Sequence, residues 1–380
     1  MERPSHLIDT HEVVGASAAE VRPIPVTRTF LPDLAAYTEL MRGVWERGWL
    51  TNHGPLVKDL ENRLREYLNA PDLFVLNNGT VALQIGIKAL DLRDEVIVTP
   101  FSYVATVSSA VWENCTPVFA DIDPVHLTID PKAVERAITP RTTGILATHV
   151  FGVPCATEEL QDIADRHGLR ILYDGAHVFG VRYLGKPITA YGDVTTLSFH
   201  ATKLFHTIEG GAVIARNAEL GHKLSYMRNF GHNGPEAFQG IGINGKMSEA
   251  HAAMGHLVLD SMDHIARSRK ISWEAYRDAL GDITALELLH VREGTDYNHA
   301  YFPVVFDTEA RLLKVREALR AEHIEPRRYF YPSLDTLPYV VSEACAVSRS
   351  IAQRVLCLPL FADMHPELVP RIAGIVRAGL

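Results

Sequence analysis

The segment Arg170-Ile171-Leu172-Tyr173-Asp174-Gly175-Ala176-His177 sets the class of this chain. A short apolar run ends in an aspartate and a glycine turn, as expected of a strand covered on both faces with a carboxylate at its carboxyl end. Just upstream, Thr157 opens a helix with Glu158 and Glu159 in its first turn, and Gly168 closes it after Arg166-His167. Acidic residues at the start, basic residues at the end and a glycine beyond suit the helix dipole and a left-handed cap. Similar strand-like runs recur at Leu73–Leu76, Glu95–Thr99, Pro117–Asp121, Gly144–Val150, Val194–Phe199 and Ala212–Ala215. A further helix begins at Asp130-Pro131, an N-cap followed by proline at the first helical position. Strands alternating with helices predict an α/β fold built on a large, mostly parallel sheet.

Residues 1–30 are polar and punctuated by Pro4, Pro23 and Pro25, and read as an N-terminal arm outside any core. The large α/β domain is then expected over 31–250. From Glu249 toward Leu280 the pattern is helical without a strand. Tyr301–Phe306 is strand-like, Glu309–Glu322 helical, and a last helix runs from about His365 to Ala378. These predict a smaller C-terminal α/β domain over 251–380, and 380 residues at ~150 per domain agree with two units.

Composition excludes several classes of function. With 37 basic against 46 acidic residues and no basic run, the net charge of −9 disfavours a nucleic-acid or membrane-surface partner. No apolar run approaches the ~18 residues of a membrane span. Four cysteines without a CxxC pair point to a reducing, cytoplasmic setting. The 18 histidines form no HExxH and no ligand-spaced cluster, so no metal site is expected. Gly240-Ile241-Gly242-Ile243-Asn244-Gly245 matches a dinucleotide fingerprint in letters only, because no strand precedes it.

In a parallel sheet the ligand crevice lies beyond the carboxyl ends of the strands. There the chain places Asp174, Lys203 in His200-Ala201-Thr202-Lys203, a helix start at Asn78-Gly79-Thr80, and Tyr103 in Pro100-Phe101-Ser102-Tyr103. Pyridoxal phosphate uses all four. It needs a lysine to hold it as a Schiff base, a carboxylate for its ring nitrogen, amide donors for its phosphate and an aromatic ring on its face. Lys203 is the candidate catalytic residue. Gly79, Thr80, Tyr103, Asp174, His177 and Ser198 are candidates for binding the cofactor.

The segments Asn78–Leu83, Pro100–Thr106, Asp174–His177 and Ser198–Lys203, with Glu209-Gly210-Gly211, resemble the sugar-nucleotide aminotransferases of the DegT/StrS group, which have fold type I. The resemblance runs in order from about Trp49 to Leu360. It implies a homodimer with shared active sites, in which Asn244 reaches the cofactor phosphate of the other subunit. It also implies glutamate as amino donor and a nucleotide-diphosphate keto-sugar as acceptor, and two half-reactions that share one cofactor predict ping-pong kinetics. Within the group the chain is most similar to the branch that aminates C4 of a dTDP-4-keto-6-deoxyhexose. Histidine replaces the lysine in members that act as dehydratases, so Lys203 favours transamination. Two alternatives stay open: amination at C3, and a non-enzymatic sugar-nucleotide sensor on the same scaffold. Arg327-Arg328-Tyr329-Phe330-Tyr331 is a basic and aromatic knot, from which Arg328 and Tyr329 are the candidates for binding substrate.

Overall fold

The computed structural model describes residues 23–380, so most of the expected arm lies outside the described residues. A seven-stranded sheet forms the centre, in the spatial order Leu73–Leu76, Gly211–Ala215, Val194–Ser198, Arg170–Asp174, Thr142–Thr148, Glu95–Val98, Thr116–Phe119. Neighbours run parallel except Gly211–Ala215, which is antiparallel to both strands beside it.

Side chains alternate between two cores, as the period-2 geometry of strands requires. Val96, Val98, Leu146 and Leu172 face one side, with Leu83 and Ile87 of the helix Gly79–Ala89. Ile97, Ile145, Ile171 and Tyr173 face the other, with Leu160 and Ile163 of the helix Thr157–His167. Because Val194–Ser198 and Gly211–Ala215 are antiparallel, the loop 199–210 between them turns back at the carboxyl end of the sheet. That reversal puts Lys203 on the same edge as Asp174.

A three-stranded antiparallel sheet, Leu286–Leu288, Phe302–Phe306 and Val355–Leu358, forms a second unit. Helices Met262–Leu280, Glu309–Ala321 and Leu368–Gly379 share its core through Tyr276, Leu312 and Ile372. Two sequence expectations need correction. Residues 23–30 are not detached from the core: Ile24–Pro25 pairs with Ile324–Glu325, and buried Val26 accepts a hydrogen bond from the Leu360 amide. The stretch from Glu249 to Leu280 is helical without a strand, as expected, and is divided at Ser261 into Glu249–Asp260 and Met262–Leu280. Residues Ala252 to Ile265 pack with Val57, Leu60 and Leu64, so a boundary at 250/251 cuts through a helix of the larger core. We propose that the division falls near Ser261. Among the described residues no helix is long and apolar enough to cross a membrane.

The helices Leu34–Arg47 and Pro55–Leu68 went unread in the sequence. The second starts at Gly54 without a side-chain cap of its own. Its cap comes from 195 residues away: buried Glu249 accepts the amides of Leu56 (3.0 Å) and Val57 (2.8 Å). Gly54 is required there, since a Cβ would stand 2.4 Å from the Glu249 carboxyl carbon. Glu249→Ala should therefore cost about 2 kcal/mol in a chemical unfolding titration, the scale of a lost charged cap. A loss within about 0.5 kcal/mol, the range of ordinary surface substitutions, would contradict this capping role.

Candidate active site

A cavity of about 450 Å³ opens at the carboxyl edge of the sheet. Gly79, Thr80, Tyr103, Asp174, His177, Ser198, Lys203 and Tyr329 all line it. Asn244 does not: it is exposed, and its side-chain oxygen accepts from Lys246 at 2.7 Å. The glycine-rich stretch 240–245 lies outside the cavity and leads into no helix before Glu249.

Asp174 sits at the base, almost fully buried. It accepts hydrogen bonds from the Thr106 hydroxyl (2.7 Å) and the Ala176 amide (3.1 Å), and among the described residues no arginine or lysine forms an ion pair with it. Burial raises its pKa above the usual carboxylate range, and these hydrogen bonds and the Lys203 charge only partly offset that. Thr106 belongs to a buried hydroxyl cluster with Ser102 (2.8 Å) that fixes the carboxylate from behind. A carboxylate held this way lacks a cation, and a protonated ring nitrogen is one.

At the other end of the cavity, Asn78 caps the helix Gly79–Ala89, its side chain taking the Val81 amide and its carbonyl the Ala82 amide. The amides of Gly79 and Thr80 remain for an anion. The helix start approaches Ser198 so closely that a Cβ on Gly79 would lie 2.9 Å from the Ser198 Cβ. Tyr103 is 59% exposed beside this cradle, a ring available for stacking.

Lys203 projects between these two ends. Removal from water lowers its pKa, while Asp174, Tyr329 and Tyr103 act in the opposite direction. His177 is kept neutral by burial, and the Lys203 charge adds to that effect. The Phe151 amide donates to its Nδ1 at 3.1 Å, which leaves the ring proton on Nε2. Its ring stacks on Phe330 at 5.6 Å. A buried carboxylate without a cation, free amides at a helix start, an aromatic face and a charge-starved amine fit pyridoxal phosphate in one cavity.

The signature of the DegT/DnrJ/EryC1/StrS aminotransferase family matches residues 35–377. This chain belongs to that family. A dTDP-4-amino-4,6-dideoxy-D-glucose transaminase of Shigella dysenteriae is 40% identical over 362 residues, 94% of this chain and 99% of the relative. The Escherichia coli enzyme of the same name is 35% identical, across 93% and 98% of the two chains. A crystal structure of DesI in the presence of its TDP-sugar product superposes with a TM-score of 0.89 at 35% identity, covering 95% of this chain and 94% of that one. Helicobacter pylori PseC, at 24% identity and a TM-score of 0.87, shares the fold. As a member of this family the chain is an enzyme that uses pyridoxal phosphate.

The two arginines of the knot at 327–331 are placed differently. Arg328 does not line the cavity: its guanidinium is held by Glu309 (2.7 Å) and the Gln353 carbonyl (2.8 Å) and lies over the Tyr331 ring. Arg327 lines the cavity instead, with Tyr329. Thr106 and Tyr301 were the other omissions. Thr106 could have been found as a position in the first turn of the helix that follows Tyr103; Tyr301 carried no local signal.

The direction of the Asp174 shift has a consequence for stability. A raised folded-state pKa means that its contribution is full below the unfolded value and is lost as pH rises through the folded one. In the cofactor-free protein, Asp174→Asn should therefore raise the thermal midpoint at pH 7, with the gain shrinking toward pH 4. Differential scanning calorimetry at the two pH values checks this; an equal difference at both would contradict it.

Proposed function

We propose that the chain transfers an amino group from glutamate to C4 of dTDP-4-keto-6-deoxyglucose, giving a dTDP-4-amino-4,6-dideoxyhexose. The observation that carries this reading is the pairing of Lys203 with buried, cation-free Asp174 in one cavity, in a chain 40% identical over nearly its whole length to a relative bearing that activity in its name. Retention of the lysine supports transamination, and a binding module without turnover has no use for a carboxylate held at such cost.

When bound, the cofactor supplies an aldehyde for a primary amine and a protonated ring that withdraws electrons from the carbon attached to that amine. The protein's residues divide the remaining work. Asp174, fixed by Thr106 and Ala176, would keep the ring nitrogen protonated. Gly79, Thr80 and Ser198 would donate to the phosphate, while Tyr103 would cover the ring and His177 present its Nε2–H. Lys203, uncharged at a lower pH than an exposed lysine, would take a proton from one carbon and return it to a neighbouring atom.

The acceptor's diphosphate needs cations beyond this cavity. A second cleft of about 430 Å³ shares Ser102, Tyr103, Arg327, Tyr329 and Phe330 with the first and adds Arg316, Arg320 and Arg328. Arg320 pairs with Glu325, whereas Arg316 and Arg327 have no carboxylate partner among the described residues. An anionic chain leaving the cavity would meet these two guanidinium groups.

We further propose a cytoplasmic homodimer. Leu34 and Trp45, eleven residues apart on one helix, share a face and are 74% and 69% exposed, with exposed Trp49 and Leu50 following. Such an apolar strip is characteristic of an interface. Asn244, exposed and outside its own chain's cavity, is free for a role across that interface. The four buried cysteines are all unpaired, which supports a reducing compartment.

Protein loaded with cofactor and given glutamate and the dTDP-4-keto-sugar should release 2-oxoglutarate, and NMR of the product should place the new amine at C4. An amine at C3, or no oxoglutarate, would overturn the reading. Arg327→Gln should raise KM for the nucleotide sugar about tenfold, the scale of one charged hydrogen bond, and leave the half-reaction with glutamate unchanged.

A further inference from the structure

The segment Tyr297–Tyr301 connects the second unit to the cavity, and every residue in it is tied down. The Tyr297 hydroxyl donates to the Phe151 carbonyl at 2.8 Å. The Asn298 amide donates to the carbonyls of His177 (2.9 Å) and Phe179 (3.0 Å). Arg269, buried, donates to the carbonyls of His299 and Ala300, and the Trp273 indole donates to that of Tyr301 at 3.2 Å. The result is a fixed position for one ring. Tyr301 sets its edge against His177, with centroids 4.8 Å apart, and its hydroxyl oxygen lies 3.4 Å from the Lys203 amine.

We propose that Tyr301 is the positioning residue for the Lys203 amine, accepting a hydrogen bond that holds the amine in the cavity whenever it is not covalently engaged. The proposal rests on the reading of Lys203 as the proton carrier. An amine in that role must stay close to the reacting atoms and must spend part of its time uncharged. A carboxylate partner would hold it close but stabilise the ammonium form. A neutral phenol oxygen holds it with far less bias toward charge, and leaves the amine's lone pair available.

The surroundings keep Tyr301 in that neutral form. Burial raises its pKa well above the usual phenol value, Cys357 and Asp174 act in the same direction, and Arg269 opposes them. The other groups facing the amine are Asp174, Tyr103 and Tyr329, while His177 is neutral. Tyr301 thus acts as hydrogen-bond acceptor and not as a base.

Tyr301→Phe removes the hydroxyl and keeps the ring and all the backbone anchors. In cofactor-free protein, trace labelling with acetic anhydride over a pH series, read by mass spectrometry, gives the titration midpoint of Lys203. Loss of an acceptor that favours the ammonium form should move that midpoint down by about 0.5 unit, the scale of one hydrogen bond. In the loaded enzyme, the rate of the glutamate half-reaction should fall about tenfold with the apparent affinity for glutamate unchanged. An unchanged midpoint or an unchanged half-reaction rate overturns the proposal. If the midpoint moves but the cofactor never attaches to Lys203, the pairing of the two side chains stands and the reading of the site falls.

Discussion

A carboxylate buried without a cation is the constraint on which the rest depends. Asp174 is desolvated at the end of a central strand, and its two hydrogen bonds do not replace the water it has lost. Its position is intelligible only as half of a pair whose other half arrives with a ligand. The amine of Lys203 shares the cavity and is itself destabilised as a cation by the same burial. Each group is held away from its relaxed state, and a ring with a protonated nitrogen and an aldehyde relieves both.

The architecture exists to make that juxtaposition rigid. Asp174 ends one parallel strand, and Lys203 lies on the loop beyond the next. The reversed strand Gly211–Ala215 turns that loop back on the sheet edge, where the Phe199 amide bonds the Gly210 carbonyl and the Thr207 amide bonds the Phe199 carbonyl. The helix start at Gly79 can approach Ser198 only because there is no Cβ between them. The second unit closes the remaining side with Tyr301, Arg327 and Tyr329; the Tyr301 segment is anchored to the larger core and to Trp273, and the Arg327 backbone to Cys357.

What the sequence made legible follows from how local each signal was. Asp174, Lys203, Gly79 and Tyr103 each follow a short apolar strand, and a parallel sheet brings all such positions to one edge, so adjacency in space could be read from position in the pattern. Capping residues such as Asp130 and Gly168 marked helix ends for the same reason. Glu249 capping a helix that starts at Pro55, Ile24 pairing with Ile324, and Tyr301 meeting Lys203 all join residues far apart in the chain, and nothing in the neighbourhood of either partner announces the other. Arg327 and Arg328 show the limit of charge as a signal. Charge marked both, while the fold leaves Arg327 without a carboxylate partner at the cavity and pairs Arg328 with Glu309 at the edge of the neighbouring cleft.

The most direct test of the central claim is chemical fixation on the holoprotein. Borohydride reduction followed by peptide mapping should place the mass of the reduced cofactor on the peptide containing Lys203 and on no other. A cofactor fixed to a different lysine, or a protein from which reduction leaves nothing attached, would contradict the account at its base.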